Sequence, residues 1–395
     1  MSKELPPIQG FKYLSRVIPL LERLHDCGTQ RDTAGNRQLH FDRYVALLLL
    51  YFFTPGLDSL RGLAQATALD KVAQATGGGP VSLGSLSEAP RVFDPTLLRG
   101  VLHELASDAL PHELPAEQEA LRDLTAIDGT LLRVLPRMAW AVWQDDQHRA
   151  AKAHVAFEVF SGPTDATITH GNGSEREQLR TQLLKPGKIY VMDRGYESYE
   201  LLAQIRAKDS SFVARVQQDV AFEVQKECPL DDAARAAGVV RDVLLKRLGS
   251  SHHKDWHKDK PLRLVIVENT THRDGEPKTL YLLTDKVDWA AELVALAYRY
   301  RWSIELFFRW LKSILGCRHL LSNTAPGVAI QVYVALIASV LLGQWTGRKP
   351  DKRTYEMFCH FFSGLASEQE LQDYLRKQQE KDAARKRKKM AESSA

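Results

Sequence analysis

Between residues 124 and 216 a series of short strand-like segments gives way to strand and helix in alternation, and this order narrows the possible folds more than any other feature. Leu124 to Asp128, continued by Leu131 to Leu135, then Ala153 to Phe160 and Asp165 to Thr169, are the first segments. Ile189 to Asp193 and Ser211 to Val216 follow, with helical patterns at Arg176 to Leu184 and Ser198 to Lys208 between and around them. The order predicts an α/β chain with a mixed sheet flanked by helices. The polar stretch from about 217 to 284 then reads as a β-rich insertion on that sheet. Its clearest part is a hairpin of Leu262 to Glu268 and Lys278 to Leu283 around the turn Arg273-Asp274-Gly275.

Helical regions flank this core on both sides. Residues 1–120 carry helical patterns at Phe41 to Phe53, at Ser59 to about Ala75, and at Thr96 to Ser107, with a loop at Gly77-Gly78-Gly79-Pro80. Arg61, Lys71, Arg91 and Arg99 could let this region grip DNA, or could simply be a solvated surface. Tyr44 to Phe53 and Val328 to Leu342 are apolar, and both fall short of the roughly 20 residues that a bilayer needs, so they read as buried helices. In 346–395, Arg353 to Leu375 predicts one or two helices with Met357, Phe358, Phe361, Phe362 and Leu365 available to a partner. The run Lys381, Arg385, Arg387, Lys388, Lys389 reads as a disordered basic tail.

Composition removes several classes. A hydrophobic content of 44% and a charged content of 26% exclude a wholly disordered chain. The net charge of +4 permits nucleic acid as a partner without requiring it. Cys27, Cys228, Cys317 and Cys359 form no CxxC pair, which argues for a reducing compartment and against a zinc ribbon. His252, His253 and His257 sit in a lysine-rich loop and read as solvated. With no basic flank leading into an apolar run at the N-terminus, no signal peptide is expected, and a cytoplasmic protein is.

Three carboxylates stand out. Asp128 and Asp193 each end a strand segment with a glycine within two residues, a pattern that can equally cap a turn. Glu305 lies in Tyr298 to Lys312, where Tyr298, Arg301, Glu305 and Lys312 are three, four and seven residues apart. On one helix these four point within roughly 60° of one another. Arg309 and Trp302 share that face, and Leu296, Ile304, Phe307, Leu311 and Ile314 form the apolar side. An amphipathic helix with ordinary i,i+4 ion pairs explains the stripe as well. If the three carboxylates converge, they form a site for paired hard divalent cations.

The spacing Tyr298-x2-Arg301-x3-Glu305-x6-Lys312 resembles the signature of the DDE transposases of insertion sequence family four. Ile127-Asp128-Gly129-Thr130 and Asp193-Arg194-Gly195-Tyr196 resemble that family's two aspartate motifs. Lys152 and His154 resemble its Lys-x-His, and Phe212 to Arg215 the strand after the second aspartate. The turn Gly173-Ser174-Glu175-Arg176 departs from the family, which often has an aspartate there. The resemblance covers about residues 121–345. It implies an RNase H-like catalytic domain in which Asp128, Asp193 and Glu305 hold two Mg²⁺ ions (or Mn²⁺) about 4 Å apart for in-line attack on a phosphodiester.

The same resemblance makes Tyr298, Arg301 and Lys312 contacts to double-stranded DNA at the element's terminal inverted repeats. Arg194, Arg215, Arg309, Lys152 and His154 are further candidate contacts, and Trp289, Trp302 and Tyr281 are candidate stacking platforms for an extruded base. A bacterial, nucleoid-associated homodimer that also engages target DNA is the implied assembly. Two other readings remain: a DNA-binding repressor or architectural protein without chemistry, and a metal-dependent nuclease without strand transfer.

Overall fold

The computed structural model describes residues 11–14, 17–27, 32, 35, 37–108, 114–134, 137–249, 261–269, 278–314 and 320–393. The turn Arg273-Asp274-Gly275, the histidines His252, His253 and His257, and Cys317 lie outside them. Among the described residues, a 3-10 turn at Phe11–Leu14 is followed by the α-helices α1 (Ile18–Glu22), α2 (Phe41–Phe53), α3 (Leu60–Ala66), α4 (Asp70–Ala75), α5 (Leu83–Val92) and α6 (Thr96–Ser107). Strands β1 (Leu124–Arg133), β2 (Val142–Trp143), β3 (Asp145–Glu158) and β4 (Gly162–His170) follow, then α7 (Glu175–Gln178) and β5 (Ile189–Met192). Next come α8 (Tyr199–Ala207), β6 (Ser211–Val216), β7 (Phe222–Glu227), α9 (Asp232–Ala236), β8 (Val239–Leu248), β9 (Leu262–Asn269) and β10 (Lys278–Thr284). The chain closes with α10 (Ala291–Tyr300), α11 (Trp302–Ile314), α12 (Ala325–Thr346), α13 (Lys352–Phe362) and α14 (Glu368–Ser393).

These elements fall into two compact units. One comprises residues 1–110, 132–151 and 309–395, the other 111–131 and 152–308. In the first, α12 is the centre, packed against α2, α5 and α6. Its sequence is apolar on every face, and a helix of that kind needs protein on every side. Thr324 caps its start by accepting a hydrogen bond from Gly327 N at 3.2 Å, and Gly347 ends it in the left-handed conformation at φ 61°. At 22 residues α12 is long and apolar enough to cross a membrane, which corrects the expectation of a shorter run; 89% of its most apolar stretch is buried within the unit. The basic run expected to be disordered lies in α14 instead. Its neighbours in sequence supply unbroken helix formers, so nothing stops the helix before the charges begin.

The second unit is built on the sheet. From β3, which also pairs with β4, the order runs β3-β1-β5-β6-β10-β9-β8-β7. β1, β5 and β6 pair in parallel, and the remaining strands from β6 to β7 are antiparallel. All four residues of β5, Ile-Tyr-Val-Met, are buried, as befits a central parallel strand covered on both faces. β10 bonds directly to β6, so the strands of 217–284 extend the sheet rather than stand apart from it. Ile127, Tyr190, Phe212, Leu202 and Leu264 belong to one continuous core beneath it.

Among these strands Arg263 is 7% and Asp242 2% exposed, joined by two hydrogen bonds at 2.7 and 2.6 Å. Arg263 also donates to the carbonyls of Val287 and Trp289, which tie the turn before α10 to the sheet. Removing one partner leaves a buried charge unmatched. Asp242→Ala is therefore expected to lower the unfolding free energy in urea by about 3–5 kcal/mol, with Asp242→Leu/Arg263→Met recovering most of the loss.

Candidate active site

The register of β1 against β5 carries the first two carboxylates to the same level. Ala126 pairs with Val191, and Asp128 and Asp193 each lie two residues further on. In a parallel pair, such residues face the same side of the sheet about 5 Å apart. Each aspartate accepts a hydrogen bond from the next backbone N–H: Gly129 N to Asp128 Oδ1 at 2.8 Å, and Arg194 N to Asp193 Oδ1 at 2.6 Å. Asp193 thus caps the turn that follows β5, whereas Asp128 lies inside β1, which runs on to Arg133 instead of ending at the aspartate as the sequence suggested. The next strand continues the pattern, because Met192 pairs with Ala214 and so Arg215 comes level with Asp193. Arg215 Nη1 stands 3.5 Å from Asp193 Oδ1.

The segment Tyr298 to Lys312 is not one helix. It breaks at Arg301, where α10 gives way to α11, and Arg301 N donates to Tyr298 O while Ile304 N donates to Arg301 O. Arg301, mostly buried, donates to Glu305 Oε1 at 2.7 Å. The Tyr298 hydroxyl reaches Asp193 Oδ1 at 3.4 Å. Burial opposes the Arg301 charge, but Tyr298, Glu305 and Asp193 outweigh it and hold its pKa above the ordinary value. Tyr298 is pushed up by burial and by Asp193.

Asp128 is the strained member. Burial, and then the negative charges of Glu175 and Glu305, push its carboxyl up to about 6 despite the Gly129 hydrogen bond and the nearby Arg301. Tyr196, 2% exposed, has a hydroxyl with no hydrogen-bond partner among the described residues. Its pKa is raised well above the usual value by burial and then by Glu175, Asp128 and Asp193. A buried carboxylate whose charge is opposed by its surroundings, in the all-oxygen donor set of Asp128, Asp193 and Glu305, is what a hard divalent cation would satisfy. The residues present fit such a group.

The remaining expected residues divide. Lys152 pairs with Glu175 at 2.6 Å. His154 is buried, bonded through Nε2 to Thr169 Oγ1 at 2.9 Å, and its pKa is lowered to about 4 by burial and then by Lys152, so it offers no surface to a partner. Arg194 is exposed beside Asp193. Arg309, exposed, and Lys312, half-buried, continue α11 in the residues that belong to the helical unit. Of the aromatic platforms, Trp302 is 58% exposed with Arg301 over its ring at 5.5 Å, Trp289 is buried, and Tyr281 packs partly against the sheet core. Glu175 was missed as a member of this cluster. Its only signal was a departure from a motif, since nothing local links residue 175 to residues 128 and 193.

The family model described as "Transposase DDE domain" matches residues 119–341, more than half of the chain and the whole span from Asp128 to Lys312. The chain belongs to this DDE transposase family. A Sinorhizobium fredii protein named as a transposase, y4zB, is 31% identical over 220 residues, 55% of this chain and 60% of its own length. A Geobacillus stearothermophilus protein named as a transposase for insertion sequence element IS5377 is 28% identical over 251 residues, 62% of this chain and 63% of its own. A Synechocystis protein named as a transposase for IS4SA is 20% identical over 269 residues, covering 67% and 72%. The chain thus spans about three-fifths of the length of the first two relatives.

The raised Asp128 has a measurable consequence for this DDE family member. Between pH 4 and 6 the folded chain keeps a proton that the unfolded chain has released, so folded stability falls as pH rises through that window. In cation-free buffer, Asp128→Asn is expected to melt above the parent at pH 7.5, by the equivalent of on the order of 2 kcal/mol. The gap should close near pH 4, and differential scanning calorimetry across the range checks it.

Proposed function

We propose that this chain is a transposase of insertion sequence family four that cleaves DNA at the terminal inverted repeats of its element and joins the freed ends to target DNA. The observation that carries the reading is the grouping of Asp128, Asp193 and Glu305 with Arg301 and Tyr298 in one unit, two of the carboxylates held level by strand register. The sheet order, with parallel β1, β5 and β6 at its centre, supports an RNase H-like core. Asp128, Asp193 and Glu305 would hold the divalent cations, Mg²⁺ or Mn²⁺. When bound, these supply activation of water or a 3′-hydroxyl and stabilisation of the leaving oxygen.

The protein's own groups do the positioning. Arg301 presents a guanidinium fork suited to a phosphate, and Glu305 occupies one arm of it until DNA arrives. Tyr298 stands ready to donate its hydroxyl to the same phosphate. Arg194 and Arg215 flank Asp193 and would contact the DNA backbone, orienting the scissile bond without reading sequence, and Lys312 and Arg309 on α11 would add backbone contacts of their own. Trp302, exposed and apolar, is the stacking surface for a displaced base. The helices of 1–120 would grip the element's end, and α13 and α14 would join two copies so that both ends are held before cutting, in the bacterial cytoplasm at the nucleoid.

The test is an incubation with Mg²⁺, a DNA carrying the element ends and a target plasmid, beside a Glu305→Gln control. Strand-transfer products that disappear in the control are expected. Cleavage without joining would replace the reading with a nuclease, and a stable complex without cutting would replace it with a DNA-binding repressor. Arg309→Ala should weaken binding to element ends and reduce the slope of log affinity against log salt by about 1; unchanged affinity removes Arg309 from the interface.

A further inference from the structure

Glu175 opens α7 within the turn in which the sequence leaves the family pattern, yet its carboxylate lies between the two aspartate motifs. A Cβ placed on Gly129 would come within 2.7 Å of Glu175 Oε1 and 2.8 Å of Lys152 Cε, and one placed on Gly195 would come within 3.7 Å of Glu175 Oε2. One oxygen therefore reaches the residue after Asp128 and the other the turn after Asp193. Arg176 Nε donates to Gly195 O at 2.7 Å, which fastens this segment to the second motif. A side chain at residue 129 would have to push the ends of Glu175 and Lys152 aside.

Two further facts show what the carboxylate is paired with. Lys152 Nζ stands 2.6 Å from Glu175 Oε1 and 3.5 Å from Gly173 O, and both side chains are mostly buried. A lysine ammonium is a compact point charge on a flexible stem. It can occupy the side of a carboxylate cluster that a divalent cation would claim, and leave along its own stem when the cation arrives.

We propose that Glu175 is a fourth carboxylate of the Asp128–Asp193–Glu305 centre and that Lys152 is its exchangeable counter-charge, displaced from Glu175 when a divalent cation binds and then available to a DNA phosphate. This inference rests on the reading of that centre as a cation site. It differs from a structural ion pair in one respect that can be measured. If the pair merely fastens the loop, removing either partner has the same effect. If Lys152 competes with the cation, the two removals act in opposite directions.

The experiment is titration of the full chain with Mn²⁺, followed by electron paramagnetic resonance of the free ion, on the parent, Glu175→Gln, Lys152→Met and Asp128→Asn, with circular dichroism to confirm folding. Glu175→Gln should weaken Mn²⁺ binding about tenfold, and Lys152→Met should tighten it severalfold. Weakening in both, or no change in either, overturns the proposal. If Glu175→Gln does not fold, the Lys152→Met arm decides alone: tighter binding supports the exchange, and equal or weaker binding overturns it. Asp128→Asn separates the two layers. Loss of Mn²⁺ binding there with parental binding in Glu175→Gln removes only the fourth carboxylate, whereas parental binding in Asp128→Asn removes the cation site itself and this inference with it.

Discussion

The parallel register between β1 and β5 is the constraint on which the rest of the site depends. Ala126 opposite Val191 makes Asp128 level with Asp193, and Met192 opposite Ala214 makes Arg215 level with both. A slip of one residue in the first pairing would turn one aspartate, and in the second Arg215, to the other face of the sheet. What prevents the slip is burial rather than the aspartates. Ile127, Tyr190, Met192, Phe212 and Ala214 all enter one core, and a slipped strand would exchange these for the residues between them.

Bringing carboxylates together in a half-buried place has an energetic cost, and the structure shows where it is met. Each aspartate holds one oxygen on the backbone N–H that follows, so part of its lost hydration is replaced. Arg301 and Arg215 offset the charge of Glu305 and Asp193 directly. Asp128 receives no direct cationic contact among the described ion pairs, and it is the group whose proton affinity rises. The uneven sharing leaves the deficit of positive charge at Asp128, since Glu175 is met by Lys152 at 2.6 Å.

Much of this was legible in the sequence, for identifiable reasons. β6 and α6 match their expected limits, because apolar periodicity bounded by turn residues is a local signal. Asp128, Asp193 and Glu305 could be named because each lies in a short pattern of its own. Glu175 could not, since its partners are more than 17 residues away in either direction along the chain and their meeting is made by the sheet. His154 was legible as part of a motif but not as buried, which depends on β4 covering it through Thr169. The basic run in α14 shows the reverse error: a charge pattern was taken for disorder where helix propensity continues unbroken.

The break at Arg301 explains itself in electrostatic terms once the helix is seen as two. Arg301 stands at the C-terminal end of α10, where the carbonyl groups present partial negative charge, and Glu305 lies in the first turn of α11, where the N–H groups present partial positive charge. Each placement contributes roughly 0.3–1 kcal/mol, and neither would exist in the middle of a continuous helix. The Arg301–Glu305 bond then spans the joint and strengthens it. The spacing of three, four and seven residues resembles a stripe on one helix, but the structure uses it differently. Tyr298 comes from the last turn of one helix, Glu305 from the first turn of the next, and the arginine between them is in contact with both. An anion that drew the Arg301 guanidinium away from Glu305 would loosen this joint and uncover the Glu305 carboxylate in one movement, because the same side chain meets both Tyr298 and Glu305.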